Sequence, residues 1–245
     1  MGEGMIIRVC SGFSPAGQKS YGDRFLRTFD RHWPAEIELQ VWVEEPTPMP
    51  RDAYRDLWAI PGAKEFHVEH GSRPVAMGRV PGPRWKERER QAGYCFRFDA
   101  AKFWKQILIP QAASKGLQDG DVLIWLDADV ETFAPIGRLD VLALLPGDAQ
   151  VSYLARPPKH SEIGFWAVRI DPTIRDFLAL MAWIYTGGEV FDLPEWHSAY
   201  VWDRARERVG LREHSLCRIG ARGHVFPTSP LGRWLRHDKG GRKPR

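Results

Sequence analysis

The spacing of apolar residues along the chain changes repeatedly and predicts strands that alternate with helices. Short continuous or alternating apolar runs predict strands at residues 6–10, 37–43, 64–68, 122–126, 150–154 and 165–170. Apolar residues spaced three and four positions apart predict helices at residues 21–33, 51–59, 96–109, 136–145, 172–185 and 195–209. This order predicts one α/β domain over residues 1–245, with a mainly parallel central sheet flanked by helices.

The run Val122–Leu126 carries the clearest chemical signal. Its five apolar residues lead directly into Asp127-Ala128-Asp129, and such a run is typical of a strand buried on both faces. Ligands of parallel sheets bind beyond the carboxyl ends of the strands. Asp127 and Asp129 are two positions apart and are expected to project to the same side, where a divalent cation would relieve their repulsion. The alternative is that one Asp caps a turn and the other is solvated.

Composition places the chain among soluble globular proteins, because 43% of its 245 residues are hydrophobic and 27% are charged. The N-terminus has no basic stretch followed by a long apolar region. The longest apolar run, residues 177–185, is far shorter than the ~20 residues of a membrane span. Three scattered cysteines favour reduced thiols over a disulfide framework or a zinc site. We therefore predict a cytoplasmic protein without a transmembrane segment.

The positive charge is concentrated in two segments. Residues 79–97, predicted to form a basic loop, contain six Lys or Arg and two Glu, and residues 233–245 contain six Lys or Arg and one Asp. Since the whole chain carries +4, the remaining residues carry −5. This local basicity favours an anionic ligand or partner over a generally basic protein.

Two motifs together resemble nucleotide-sugar-dependent glycosyltransferases of the GT-A fold. The first is the Asp127-Ala128-Asp129 motif after an apolar strand. The second is HDKGGRKP at residues 237–244, which is similar to the H-x-x-G-x-x-K-P-W signature of the glycogenin and galactosyltransferase group. Arg245 stands where that signature has Trp. The stretches HSEIGF and LPEWHSAYVWD are also similar to those of small bacterial and phage glycosyltransferases.

The resemblance implies a GT-A-like (Rossmann-like) domain that uses Mn²⁺ or Mg²⁺ and a nucleotide-sugar donor, with UDP as the expected nucleotide. It implies metal ligands at Asp127, Asp129 and His237, with Asp127 also on the nucleotide side. It assigns the tail, residues 233–245, to metal and diphosphate binding, with contacts from Lys239, Gly240 and Lys243. Trp234 is predicted to anchor this tail to the domain. The alternative is a solvated basic terminus.

Further donor contacts are predicted from position. Ser11 and Phe13 lie in the polar loop expected after the first strand, a common place to hold a nucleotide. Arg97, Asp99 and Lys102 lie beside the apolar face of the helix predicted at residues 96–109 and are candidates to face the nucleotide or the two aspartates one strand away. The alternative is an ion pair on the helix surface.

The candidate catalytic residues on the acceptor side are Glu162, Glu195 and His197, which lie where turns meet the ends of predicted strands or helices. Capping or a core hydrogen bond is an equally compatible role for each of them. The acceptor is predicted to be a glycan, a small molecule or DNA, for example a hydroxymethylated base, because aromatic residues such as Trp85 and Tyr94 alternate with arginines in the basic loop. A nucleotidyltransferase and a non-enzymatic nucleic-acid-binding protein are the competing functions. No oligomeric state is predicted.

Overall fold

The computed structural model describes residues 4–45, 52–218, 220–221 and 223–237. Within them the strands are β1 (Ile7–Phe13), β2 (Glu38–Val43), β3 (Tyr54–Asp56), β4 (Val122–Leu126), β5 (Val130–Thr132), β6 (Val151–Leu154), β7 (Glu162–Arg169), β8 (Glu213–Ser215) and β9 (Leu235–His237). Seven of them form one sheet in the order β3-β2-β1-β4-β7-β6-β8, while β5 pairs with β9.

The large sheet is mainly parallel, as the sequence predicts. Strand β1 pairs in parallel with β2 and β4, β2 pairs in parallel with β3, and β6 pairs in parallel with β8. Strand β7 runs antiparallel to its neighbours β4 and β6. The predicted central strand is confirmed, because β4 lies in the middle of the sheet and all five of its residues are buried.

Helices flank this sheet. They are α1 (Pro15–Gly17), α2 (Asp23–His32), α3 (Ala63–His70), α4 (Glu87–Ala92), α5 (Ala100–Ala113), α6 (Arg138–Ala143), α7 (Pro172–Thr186) and α8 (Ser198–Val209). A π-helical turn, Gln18–Gly22, joins α1 to α2, and short 3₁₀ turns lie at Leu57–Ala59, Phe96–Phe98, Glu189–Asp192 and Pro230–Arg233. The predicted α/β class is confirmed.

Alternating side chains of β4 divide the core between the two faces of the sheet. Leu123 and Trp125 belong to an apolar cluster shared with α3, α5, α7 and α8. Val122, Ile124 and Leu126 belong to a second cluster shared with α2 and α6. Burial on both faces holds β4 in place, and the residues that follow it emerge at the carboxyl edge of the sheet.

Two predicted elements between β2 and α5 are wrong. The strand predicted at residues 64–68 is helix α3, which buries Ala63, Phe66 and His70 at helical spacing and leaves Val68 71% exposed. The helix predicted at residues 51–59 contains β3 instead, because this segment pairs with the free edge of β2. Tertiary pairing outweighs local propensity here.

The remaining differences concern short elements. Strands β8 and β9 were not predicted, because three residues are too few to show a periodicity. The loop expected at residues 70–90 includes the start of the short helix α4. Among the described residues, no helix has both the length and the apolar character that a membrane span requires.

Candidate active site

Asp127, Asp129 and His237 meet at the carboxyl edge of the sheet. The two aspartates directly follow β4, and His237 is the last residue of β9. Strand β9 pairs antiparallel with β5, and this register places His237 opposite Val130. One ligand atom from each of the three side chains lies within 4.8 Å of the others, and His237 Nε2 is 3.0 Å from Asp129 Oδ1. The chain thus brings together residues that are more than 100 positions apart in sequence.

Asp127 is oriented by hydrogen bonds from two sides. Its Oδ1 accepts hydrogen bonds from Trp125 Nε1 at 2.8 Å and from Gln106 Nε2 at 2.7 Å, and its backbone N–H donates to Gly164 O at 2.9 Å. Removal from water, followed by the nearby charge of Asp129, raises the pKa of Asp127 to about 6. Two carboxylates so close together are costly unless a positive charge lies between them.

The donor set fits a divalent cation such as Mn²⁺ or Mg²⁺. Two carboxylates and an imidazole suit such ions and leave coordination positions for substrate oxygens. Gly164 on β7 keeps the space between the ligands open. A Cβ added there would lie 2.9 Å from both Cε1 and Nδ1 of His237 and 3.3 Å from Asp127 Oδ2. The metal role of the three residues stays a prediction.

The three residues line a cleft of about 510 Å³, called here the donor cleft. Its other lining residues are Gly12, Phe13, Ser14, Tyr21, Ala101, Lys102, Phe103, Lys105, Gln106, Trp125 and Ala128. Of the predicted donor contacts, Phe13 and Lys102 therefore lie in this cleft. Lys102 is exposed, whereas Lys105 forms an ion pair with Glu44.

Ser11 and Asp99 lie outside the donor cleft. Ser11 is fully buried within β1, which extends through the residues predicted to form a loop, so its side chain has no route to a ligand there. Asp99 is the N-cap of α5: its Oδ1 accepts a hydrogen bond from Lys102 N at 2.9 Å. Its Oδ2 accepts a second from Tyr94 Oη at 2.8 Å. Asp99 therefore caps α5, a structural role that differs from both the nucleotide contact and the surface ion pair considered for it.

A second cleft of about 610 Å³, called here the acceptor cleft, adjoins the first. The two clefts share Phe103, Gln106 and Asp127. The predicted catalytic residues Glu162, Glu195 and His197 all line it, together with Arg97. Arg97 was predicted to contact the donor, but the structure places it here, where its guanidinium pairs with Glu89 at 2.7 Å and Glu195 at 3.3 Å.

Glu195 is the centre of a hydrogen-bonded group in the acceptor cleft. Its Oε2 lies 2.9 Å from His197 Nε2 and 3.3 Å from His160 Nε2. Burial by itself raises the pKa of Glu195, but the hydrogen bond with His197 and the nearby charges of His160 and Arg97 bring it below the ordinary value. Burial lowers the pKa of His197. Glu195 is thus held as a carboxylate.

Glu162 is placed closer to the predicted metal ligands. It begins β7, is 4% exposed and pairs with Arg156 at 3.3 Å. Its Oε1 is 3.9 Å from His237 Nδ1. This position favours support of the His237 ring over contact with an acceptor hydroxyl.

Sequence reasoning missed four polar residues of the site. Gln106 on α5 connects the two clefts. Its side-chain N–H donates a hydrogen bond to Asp127, and its side-chain carbonyl oxygen accepts a hydrogen bond from Ser198. His160 faces Glu195, and its Nδ1 is 3.5 Å from Asp203 on α8. Gln106 carried no signal in sequence, whereas His160 belongs to the HSEIGF stretch, and Ser198 and Asp203 belong to the LPEWHSAYVWD stretch. The predicted contacts Lys239, Gly240 and Lys243 lie outside the described residues.

No protein-family model matches the chain, and no curated protein matches it significantly. Among solved structures, it is similar to a glycosyltransferase involved in the glycosylation of the major capsid of PBCV-1, with 11% identity and a TM-score of 0.45 over 97% of this chain and 96% of that one. It is also similar to the apo-form glycosyltransferase GlyE of Streptococcus pneumoniae TIGR4, with 9% identity and a TM-score of 0.40 over 86% of this chain and 45% of that one.

A third similar structure is mouse xyloside xylosyltransferase 1, with 11% identity and a TM-score of 0.39 over 86% of this chain and 78% of that one. These three neighbours are glycosyltransferases. Identities and TM-scores this low do not assign an activity, so the function of this chain has to be argued from the chemistry of its own clefts.

Proposed function

We propose that this protein is a metal-dependent glycosyltransferase of the GT-A type, which transfers a sugar from a nucleotide-sugar donor, expected to be a UDP-sugar, to an acceptor hydroxyl. One observation carries the proposal. A donor set for a divalent ion and an ionised Glu–His group lie in two adjoining clefts that share Phe103, Gln106 and Asp127. Such a pair of sites suits a reaction in which a leaving diphosphate and an attacking hydroxyl lie on opposite sides of one sugar carbon.

In the donor cleft, Asp127, Asp129 and His237 would hold the ion. When bound, a divalent ion stabilises the charge that grows on the departing diphosphate. Lys102, which is exposed at this cleft, adds a positive charge for the phosphates. Gln106 and Trp125 keep the Asp127 carboxylate turned toward the ligand position through their hydrogen bonds to its Oδ1.

In the acceptor cleft, Glu195 would accept the proton of the attacking hydroxyl. The bond from the sugar carbon to the diphosphate breaks, a bond from that carbon to the acceptor oxygen forms, and the hydroxyl proton passes to the Glu195 carboxylate. Its lowered pKa keeps Glu195 ionised at neutral pH. Arg97 and His197 hold the carboxylate in place. Attack from the side opposite the diphosphate would invert the configuration of the sugar carbon, whereas the tail signature resembles that of a group expected to retain it. Analysis of the product anomer would test this step.

A nucleic acid acceptor has less support in the structure than in the sequence. Trp85 is 6% exposed and packs with Cys95 and Phe98 in a small buried cluster, so its ring offers no face for a base to stack on. The hydroxyl of Tyr94 is engaged by Asp99, while the residue as a whole is 36% exposed. Stacking on aromatic side chains is a main source of affinity for single strands.

A donor screen followed by kinetics tests the proposal. Thermal-shift measurements with a panel of nucleotide-sugars, with and without Mn²⁺, should identify the donor. Hydrolysis or transfer of that donor should then fall to the background rate in EDTA and in Asp129→Asn. Glu195→Gln should bind the donor normally but lose about 100-fold in transfer rate.

Asp148→Asn is the matched control, because the Asp148 side chain is 94% exposed and lies outside both clefts. Full activity in EDTA, or in the Asp129→Asn protein, would refute the metal-dependent mechanism. If the Glu195→Gln protein bound the donor and transferred the sugar at an unchanged rate, Glu195 would not be the group that accepts the proton.

A further inference from the structure

Three cationic side chains at the acceptor cleft have no carboxylate partner. Lys86, Arg88 and Lys159 are exposed and line this cleft, and none of them forms an ion pair with another described residue. Lys86 and Arg88 lie at the start of α4, whereas Lys159 lies in the turn between β6 and β7. Two segments about 70 positions apart therefore supply positive charge to one opening.

The deeper charges of the same cleft are already paired. Arg97 forms ion pairs with Glu89 and Glu195, and Arg156 forms one with Glu162. The inner wall thus carries two cations and four carboxylates, the fourth being that of Asp127, and has no excess of positive charge. The unpaired positive charge of the cleft is confined to its three exposed cations, where an anionic group of a ligand can reach them.

Two other arginines of the basic loop, Arg84 and Arg90, do not line this cleft. Arg84 donates a hydrogen bond to Pro194 O at 3.2 Å, and Arg90 donates one to Gly82 O at 2.8 Å. These two arginines help to hold the loop in place. Among the cations of residues 79–97 that line the acceptor cleft, only Lys86 and Arg88 lack a carboxylate partner within the described chain.

We infer that the acceptor is a phosphorylated sugar whose phosphate binds Lys86, Arg88 and Lys159 while its hydroxyl reaches Glu195. This inference rests on the proposed function, since it assigns the second substrate of the same transfer. A phosphate carries close to two negative charges at neutral pH and accepts several hydrogen bonds. A cleft of about 610 Å³ is of the size that holds a small ligand. The burial of Trp85 favours a small acceptor over a nucleic acid.

The test uses glucose 6-phosphate and glucose as a matched pair of probes, titrated calorimetrically into the full chain in EDTA without donor. We expect the phosphorylated sugar to bind at least about tenfold more tightly than glucose, and this preference to weaken with added salt. The triple variant Lys86→Ala, Arg88→Ala, Lys159→Ala should lose the preference. The control triple variant Arg27→Ala, Lys64→Ala, Lys115→Ala removes the same number and types of cations outside both clefts and should retain it.

Equal binding of the two probes by the wild type, or an undiminished preference in the first triple variant, would overturn the inference. So would tighter binding of a single-stranded oligonucleotide than of glucose 6-phosphate through the same three side chains. Binding of the donor identified in the nucleotide-sugar screen, measured with Mn²⁺ in parallel, should be the same in all three proteins. If the wild type binds none of the screened nucleotide-sugars with Mn²⁺, the proposed function fails; if it binds one of them and shows no phosphate preference, only the acceptor inference fails.

Discussion

At the scale of single residues, Gly164 determines how much room the predicted metal ligands have. It lies on β7, which is the strand next to β4. Because glycine has no side chain, it leaves open the space that Asp127 and His237 face. We predict that Gly164→Ala weakens Mn²⁺ binding by about tenfold or more, because the added methyl group has to displace the His237 ring. Mn²⁺ titration followed by electron paramagnetic resonance measures this.

Gly82→Ala is the control for that substitution, since its Cβ would meet no atom closer than 3.8 Å. It should leave the Mn²⁺ affinity unchanged. Unchanged affinity in Gly164→Ala as well would show that the space beside Gly164 is not needed by the ligands.

His160 is predicted to make stability depend on pH. A hydrogen bond with Asp203, aided by the charge of Glu195, raises the pKa of His160 above its ordinary value of about 6.5. Its protonated form is therefore favoured in the folded state. The stabilisation is fully present below about pH 6.5 and is lost as the pH rises through the raised pKa.

We therefore expect His160→Gln to lower the free energy of unfolding more at pH 5.5 than at pH 8.5, as measured by urea denaturation. The difference should stay below about 1 kcal/mol, because His160 is partly exposed and water screens its charge. His197 faces His160, and burial lowers its pKa, so its own contribution changes with pH in the opposite direction. Since His197 is present in both the wild type and His160→Gln, most of its contribution to the pH dependence of stability cancels in the comparison. An equal loss at both pH values would contradict the prediction.

At the scale of elements, α5 is the helix that serves both clefts. It carries Lys102 into the donor cleft and Gln106 into the wall that the clefts share. Its N-terminus depends on Asp99, which accepts a hydrogen bond from Lys102 N. The role of Asp99 is therefore to position the helix.

We predict that Asp99→Ala lowers the free energy of unfolding by about 1–2 kcal/mol, whereas Asp99→Asn, which can still accept the capping hydrogen bond, costs much less. Urea denaturation of the two variants measures the difference. Equal losses would show that the charge of Asp99, and not its capping oxygen, is what matters.

At the scale of the whole molecule, the pairing of β9 with β5 completes the donor cleft. Leu235 is 2% exposed and belongs to the second apolar cluster, and Trp234 packs against that cluster as a partly buried residue. Trp234 O also accepts a hydrogen bond from Phe133 N at 2.9 Å. Trp234 thus packs against the domain, as predicted, and the adjacent Leu235 also holds this segment to the domain.

We predict that Leu235→Ala destabilises the fold by about 2 kcal/mol and weakens Mn²⁺ binding, because β9 then holds His237 less firmly. Arg236→Ala on the same strand is the control. Arg236 is exposed and pairs with Glu131 at the surface, so its loss should cost less than about 1 kcal/mol and leave Mn²⁺ binding intact. Unchanged Mn²⁺ affinity in Leu235→Ala would contradict the predicted role of His237 as a metal ligand.

The sequence by itself determined the features that depend on neighbouring residues. Burial of β4 on both faces follows from five consecutive apolar residues, and the position of Asp127 and Asp129 follows from their place directly after it. The alternation of strands and helices likewise followed from local periodicity and identified the α/β class.

Only the tertiary structure decided which distant residues meet. The family resemblance had grouped His237 with Asp127 and Asp129, but the contact itself is made by the pairing of β9 with β5, and a three-residue strand is too short for the sequence to predict that pairing. Helix α8 places Asp203 beside His160, and α5 places Gln106 beside Asp127. The apolar pattern of β7 also could not predict that this strand runs antiparallel to β4, the direction that brings Gly164 to Asp127 and His237. Side-chain spacing is the same in strands of either direction, so the direction is set by how the chain returns to the sheet.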